Sequence, residues 1–233
     1  MAARRGAFRR GSQMELLTRA IGPLQTNVCL VGDPRTREAI VIDGAIPGLP
    51  WIVDALGRHG WRLVLIVSTH GHWDHTGENA ALQAWSGQQA DDGVGARIAA
   101  HRADWHQLTD PQPLFAPFPI PTCVPAVELA EGGLIRFGDQ RLAVLHTPGH
   151  TEGSVCLLSA EDGILFSGDT LFAGGWGRVD LPGGDAEAMV ESLVRLSGLD
   201  GALRVVPGHG RETTLGRERP WLDLVAKERR LPL

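Results

Sequence analysis

The chain has 233 residues, of which 43% are hydrophobic and 21% charged, and a formal net charge of −5 with histidine counted as neutral. This length can bury a core without disulfide or metal support, so we expect a disordered extension over 1–13 and a single domain over 14–233. Mild acidity argues against nucleic-acid or membrane-surface binding, and there is no apolar run of about 18 residues to cross a membrane. Three separated cysteines and no apolar signal segment favour the cytoplasm.

Short apolar runs bounded by glycine or proline predict strands in the first half of the chain. The first three predict an antiparallel meander, and the β-branched fourth predicts a buried central strand. Apolar residues at helical spacing predict helices over 50–59 and around 80–85. The predicted strands are 15–20, 28–31, 39–42, 62–68 and 97–99.

Residues 110–125 contain six of the 15 prolines, which excludes a helix or a central strand there. We expect a long loop within the one domain rather than a linker, with Phe115 and Phe118 as candidates to cover a substrate. Solvent-side packing of these two rings is an equal alternative.

Strand signals resume in the second half of the chain, at 134–137, 142–145, 155–158, 164–167 and 203–206. A helix capped by Asp185 and ended by Gly198 is predicted between the last two, and a final helix is predicted to begin near Pro220. Each half thus carries strands and then helices. This order predicts an α/β fold with two sheets packed face to face and helices outside.

The motif that points to chemistry is His70-Gly71-His72-Trp73-Asp74-His75, which follows the predicted strand 62–68. Imidazole and carboxylate groups suit zinc or a similar divalent ion. A catalytic tetrahedral centre takes at most four ligands and must leave one position open. Four candidates here, with more elsewhere, therefore point to two ions.

Three further candidate ligands, His150, Asp169 and His209, lie in glycine-containing turns just after predicted strands. Taken singly, each is better explained by an ordinary turn. Taken together with the His70–His75 motif they indicate one metal site, because independent turns have no reason to share ligand chemistry.

These residues resemble the ligand set of the metallo-β-lactamase superfamily, over most of the chain from residue 15 onward. The resemblance implies a four-layer αββα sandwich of two mixed sheets. It also implies that His70, His72 and His150 hold one metal ion, that Asp74, His75 and His209 hold a second, and that Asp169 bridges the two.

Within the superfamily, segments 22–27, 167–172 and 177–185 are most similar to the glyoxalase II group of thioester hydrolases. The implied reaction is hydrolysis of a small-molecule thioester by a metal-bridging hydroxide, which Asp74 also orients. The implied ions are divalent, with zinc preferred and iron or manganese as alternatives. A monomer or a homodimer is expected.

Two departures from the glyoxalase II pattern concern the thiol carrier. That group has a C-terminal helical domain that helps to grip glutathione, whereas here only residues 210–233 follow His209. Its glutathione site also uses a tyrosine, and this chain has none. Arg178 is the candidate to bind a substrate carboxylate. An internal ion pair between Arg178 and Asp180 is an equal alternative.

Other members of the superfamily supply alternative functions. A persulfide dioxygenase holds a single iron with the residues that match His70, His150 and Asp169, and the ligand count does not exclude it. A true β-lactamase is disfavoured because Asp169 stands where those enzymes use cysteine. Acyl-homoserine lactonases rely on a tyrosine. A non-catalytic member is disfavoured because no ligand is degenerate.

Overall fold

Two six-stranded mixed sheets form the centre of the fold. The computed structural model describes residues 13–112 and 116–232, so the expected extension lies outside the described residues except for Gln13, and Phe115 also lies outside them. No helix in the described residues is long and apolar enough to cross a membrane.

The first sheet has the strand order β1-β2-β3-β4-β5-β6. Its first three strands form the predicted antiparallel meander, and β3 to β6 run parallel to one another. The strands are β1 (Glu15–Ile21), β2 (Thr26–Gly32), β3 (Glu38–Ile42), β4 (Arg62–Val67), β5 (Arg97–Ala100) and β6 (Val127–Glu128).

The second sheet has the order β12-β11-β10-β9-β8-β7. Its neighbouring strands are antiparallel, apart from the parallel pair β10 and β11. The strands are β7 (Leu134–Phe137), β8 (Gln140–His146), β9 (Val155–Ser159), β10 (Ile164–Gly168), β11 (Arg204–Pro207) and β12 (Thr213–Thr214).

Three apolar cores separate four layers. The central core lies between the sheets, with Ile40 and Val67 from the first packed in one cluster with Leu142 and Phe166 from the second. Outer cores join α1 and α3 to the first sheet and α5 and α6 to the second. The helices are α1 (Leu49–His59), α2 (Trp73–Thr76), α3 (Asn79–Gln89), α4 (Trp105–Thr109), α5 (Ala186–Ser197) and α6 (Leu215–Glu228). The αββα prediction is confirmed.

The predicted start of the last helix is wrong. Helix α6 begins at Leu215, and Pro220 lies inside it. Thr214 caps the helix by accepting a hydrogen bond from the Arg217 amide, a local signal that outweighs the proline. Pro220 lacks an N–H and so leaves one carbonyl of the preceding turn without its helical partner, a cost that the packing of α6 against α5 tolerates.

Several short elements have no counterpart among the predictions. These are α2, α4, β6, β12 and a 3-10 turn at Arg102–Asp104. Each has at most five residues, too few for an apolar period to show. The described part of 110–125 contains no helix or strand, as expected, and its Phe118 packs edge-on against Trp73 with 5.7 Å between ring centroids.

Strand direction determines where the site lies. β3 and β4 are parallel, and so are β10 and β11, so the residues that follow each pair emerge at one edge of their sheet. β8 runs in the same direction as β10, because both are antiparallel to β9. The loops after β4, β8, β10 and β11 can therefore meet at one end of the sandwich.

Candidate metal centre

All seven metal-capable residues come together at this end of the sandwich. They fall into overlapping groups whose donor atoms lie within 4.8 Å of one another. The first group joins the loop after β4 to the loop after β8, and the second joins α2 to the loop after β11. The first group is His70, His72 and His150, the second is Asp74, His75 and His209, and Asp169 forms a third with His70 and His75.

In the first group, His70 Nε2 lies 3.1 Å from His72 Nδ1. His70 Nδ1 lies 3.2 Å from the hydroxyl of Thr69, and His150 Nδ1 donates to the Arg178 carbonyl at 2.7 Å. These contacts occupy one nitrogen of His70 and one of His150, so the Nε2 atoms of both rings remain to face the centre of the group.

In the second group, His75 Nε2 lies 3.2 Å from His209 Nε2. Asp74 Oδ2 lies 3.3 Å from the first of these nitrogens and 3.2 Å from the second. The other ring nitrogens are held from outside, because His75 Nδ1 donates to Asp43 at 2.9 Å and His209 Nδ1 to the Leu24 carbonyl at 2.9 Å. The two Nε2 atoms therefore point inward.

Asp169 lies between the two groups. Its Oδ2 is 3.5 Å from Nε2 of both His150 and His209, and its Oδ1 is 3.5 Å from His75 Nε2. One carboxylate thus touches a member of the first group and two members of the second. This position suits the bridging role that the resemblance implies, which stays a prediction.

The two groups differ in electrostatics. Burial lowers the pKa of His70 well below its usual value and that of His72 to about 3, with further lowering by the neighbouring histidines. These rings are therefore neutral at pH 7. Neutral imidazole is the form that binds a metal ion.

In the second group, burial would raise the pKa of Asp74, but His75 and His209 hold it well below its usual range. Burial likewise acts to lower the pKa of His75, yet the carboxylates of Asp74, Asp43 and Asp169 raise it well above its usual value. The pKa of His209 is also raised, against burial, by its contacts with Asp74 and Asp169. The second group thus favours positive charge at its centre.

The donor set fits divalent metal ions. His150 Nε2 and Asp169 Oδ1 are buried without a hydrogen-bond partner among the described residues. Unpartnered buried polar atoms are costly, and a cation would compensate them. The facing Nε2 atoms of His75 and His209 need either a proton or a cation between them. A mixed imidazole and carboxylate set is what zinc and similar ions select.

Asp43 supports the cluster and is not among the residues predicted from the sequence. The residue is 2% exposed and accepts hydrogen bonds from the Thr69 amide, the Thr69 hydroxyl and His75 Nδ1. It sits directly after β3 with a left-handed φ of 60°. Its position just past a buried strand is the same signal that marked the other candidates, so the sequence could have revealed it.

Segment 22–27, which resembles the glyoxalase II group, has a local role in the structure. Thr26 donates its hydroxyl to Asp74 Oδ2 at 3.1 Å. Asn27 donates its side-chain amide to the carbonyls of Pro207 at 3.0 Å and Gly210 at 2.9 Å, on either side of His209. The first hairpin therefore helps to position members of the second group.

Arg178 lies beside the first group, and its positive charge contributes to lowering the pKa of His72. Its guanidinium forms a two-point ion pair with Asp180, at 2.7 and 2.8 Å, and both side chains are exposed. The bracing alternative is therefore present in the structure. Whether Arg178 also binds substrate stays a prediction.

Comparisons with known proteins agree with the fold and the donor set. The family model of the metallo-beta-lactamase superfamily matches residues 21–209. A hydroxyacylglutathione hydrolase from Maricaulis maris is 37% identical over 196 residues, covering 84% of this chain but only 66% of that protein.

Two solved structures are also similar. The BLEG-1 B3 metallo-beta-lactamase has a TM-score of 0.79 and 29% identity, with 91% of this chain and 99% of that chain covered. TTHA1623, solved in a di-iron-bound form, has a TM-score of 0.71 and 34% identity, with 87% and 96% covered.

Proposed function

The chain belongs to the metallo-β-lactamase superfamily, whose members are mostly metal-dependent hydrolases, and from that premise we propose that it hydrolyses thioesters with two divalent ions. The substrate class is a small-molecule S-acyl thiol. The products are a carboxylic acid and a free thiol.

One observation carries the proposal of two ions. The seven donors form two groups that share the carboxylate of Asp169 and have their own supports. A single ion would leave several inward-facing donors without a partner. We propose His70, His72 and His150 as ligands of one ion, Asp74, His75 and His209 as ligands of the other, and Asp169 as a ligand of both.

Divalent ions held by these residues would polarise an acyl carbonyl and lower the pKa of a bound water from 15.7 to about 7. The chain's own groups supply orientation. The Nδ1 hydrogen bonds of His75, His150 and His209 fix their rings. We propose that Asp74, which accepts a hydrogen bond from the Thr26 hydroxyl, also accepts one from the attacking water.

Thioesters suit this site because of their leaving group. A thiol has a pKa of about 8.5, so it departs as a thiolate without a strong proton donor. The hydroxyacylglutathione hydrolase from Maricaulis maris supports this substrate class. Arg178 is exposed beside the first group, where it can exchange Asp180 for a carboxylate of the thiol carrier.

Hydrolysis of β-lactams is a second candidate, favoured by the similarity to the BLEG-1 enzyme. A lactam releases an amine nitrogen, which needs a proton, whereas a thioester does not. The ligand Asp169 argues against lactam hydrolysis, and a panel of substrates distinguishes the two activities. Zinc is the proposed ion, and the di-iron form of TTHA1623 makes iron the alternative to test.

The test combines metal analysis of the purified protein with a substrate panel. We expect about two ions per chain and hydrolysis of S-lactoylglutathione or a related thioester. A cephalosporin, and glutathione persulfide with an oxygen electrode, complete the panel. Asp169→Asn serves as the matched control, because it keeps the side-chain shape while it removes the shared carboxylate.

Two results would overturn the proposal. The first is one iron per chain with oxygen uptake on the persulfide, which identifies a dioxygenase. The second is lactam hydrolysis without thioester hydrolysis.

A further inference from the structure

Asp104 is a buried carboxylate outside the proposed ligand set. It ends the 3-10 turn Arg102–Asp104 after β5 and is 0% exposed. Although it occupies the N-cap position of α4, its side chain makes no capping hydrogen bond there. A buried carboxylate needs several donors, and this one finds them away from its own helix.

The donors to Asp104 come from two loops on different sheets. Its Oδ2 accepts from the Gly71 amide at 2.7 Å and from the Thr151 hydroxyl at 2.7 Å. Its Oδ1 accepts from the Gly153 amide at 2.8 Å. Gly71 lies between His70 and His72 in the loop after β4, and Thr151 and Gly153 follow the third member of the first group in the loop after β8.

Both loops approach the Asp104 region closely at a glycine. A Cβ at Gly153 would lie 2.5 Å from Asp104 Cγ, and one at Gly71 would lie 3.1 Å from Asp104 Cβ and 2.7 Å from Gln107 Cβ. Real Cβ atoms essentially never show contacts under 3.0 Å. The close approach of the Gly153 loop to the Asp104 carboxylate therefore depends on glycine, and the Gly71 loop depends on glycine for its approach to α4 at Gln107.

We propose that Asp104 is a positioning residue that sets the distance between the two loops of the first metal group. Its side-chain hydrogen bonds go to the Gly71 amide, the Gly153 amide and the Thr151 hydroxyl, so it acts through these groups. The members of the second group are held by other residues, namely Asp43, Thr26 and the Leu24 carbonyl. Loss of Asp104 should therefore weaken the binding of the ion at the first group and leave the binding of the other ion unchanged. This inference rests on the proposed two-metal function.

The main test is Asp104→Asn. Asparagine keeps the shape but turns an NH₂ group toward at least one of the donors, so the three-donor arrangement fails. Cobalt(II) is the probe, added to metal-free protein and followed by its visible spectrum and by competition with a chelator. We expect the cobalt affinity of the first group to fall by about 10–100-fold, while the second group keeps its cobalt ion.

Two further variants separate positioning from folding. Thr151→Val removes one of the three donors at constant shape. It should lower the cobalt affinity of the first group by less than Asp104→Asn does. Asp110→Asn neutralises an exposed carboxylate near the end of α4 and should leave both ions in place. Hydrogen exchange at the Gly71 and Gly153 amides of the metal-free protein should quicken in Asp104→Asn and in neither of the other two variants.

The inference fails if Asp104→Asn keeps both cobalt affinities. It also fails if the variant loses both ions equally along with its thermal stability, since a general structural role would do that. If the wild-type protein itself binds fewer than two ions, the proposed two-metal function fails instead.

Discussion

The two metal groups use similar donors, but they are prepared in different ways. The first consists of imidazoles, of which His70 and His72 have pKa values lowered by burial, and its members come from loops on both sheets. The second contains Asp74 and two histidines with raised pKa values. The first group therefore depends on the position of neutral rings, and the second on the balance of charge.

The buried carboxylates that support the groups show the same difference. Asp43 contacts a proposed ligand directly, through His75 Nδ1, and links it to Thr69 on the same sheet. Asp104 accepts hydrogen bonds from two backbone amides and a hydroxyl, which belong to loops of the two sheets. One carboxylate tunes the basicity of a ring, whereas the other sets a distance between loops.

The largest effect is expected from a substitution in the second group. Asp74→Ala removes its carboxylate, and we expect metal content to fall from about two ions to about one and kcat to fall by more than about 100-fold. His72→Ala is the matched variant in the first group and should lose the other ion. Metal analysis and steady-state kinetics measure both effects. Unchanged turnover in Asp74→Ala would mean that the site is wrongly assigned.

Asp43→Asn sharpens the comparison with Asp104. Asparagine tolerates the left-handed backbone at this position, so the substitution removes the charge and one acceptor oxygen without backbone strain. We expect about 10–100-fold weaker binding at the second group and little change at the first, the opposite of Asp104→Asn. Chelator competition against each variant measures this. Equal weakening at both groups would show that the two carboxylates share one structural role.

A smaller effect is expected at Arg178, at the edge of the first group. Arg178→Ala should raise KM a few-fold for thioesters that carry a carboxylate on the thiol, and leave KM for neutral thioesters unchanged. Asp180→Ala frees the guanidinium and should lower KM for the charged substrates. Steady-state kinetics of each variant on one charged and one neutral thioester show whether Arg178 binds the substrate carboxylate. Equal changes on both substrates would favour the bracing ion pair.

The smallest effect concerns Glu218, which supports the segment after Asp169. Its carboxylate accepts from the Gly174 amide at 2.7 Å and from Trp221 Nε1 at 2.6 Å. Burial would raise the pKa of Glu218, but the hydrogen bonds from Thr213, Trp221 and Gly174 lower it. Its contribution to stability is therefore complete above the unfolded pKa of about 4.3 and is lost as pH falls through the lower folded value.

Urea unfolding of metal-free protein at pH 6 and pH 3 tests this pH dependence. The stability difference between wild type and Glu218→Gln should shrink at the lower pH. Glu228→Gln, at an exposed carboxylate paired with Arg230, is the control and should show little effect at either pH. If the stability difference between wild type and Glu218→Gln does not change with pH, the lowered pKa of Glu218 is contradicted.

Local patterns predicted most of the long elements correctly. The β-branched run at 62–68 became β4, and Asp185 caps α5 by accepting from the Glu187 and Ala188 amides. Such signals lie within a few residues and so can be recognised without the fold. The predicted start of α6 was wrong because the cap at Thr214 and tertiary packing outweighed the helix-breaking tendency of Pro220.

The sequence alone determined which side chains are available for metal chemistry. The histidines and the aspartate of the His70–His75 motif, together with His150, Asp169 and His209, carry imidazoles and carboxylates, the groups that bind metal ions. Only the tertiary structure decided how they are held. In the sequence, Asp104 is an ordinary acidic residue between Ala103 and Trp105. It became a link between two loops because folding removed water from it and brought Gly71, Thr151 and Gly153 around it from distant parts of the chain. A buried carboxylate must be matched by donors, and that match exists only in three dimensions.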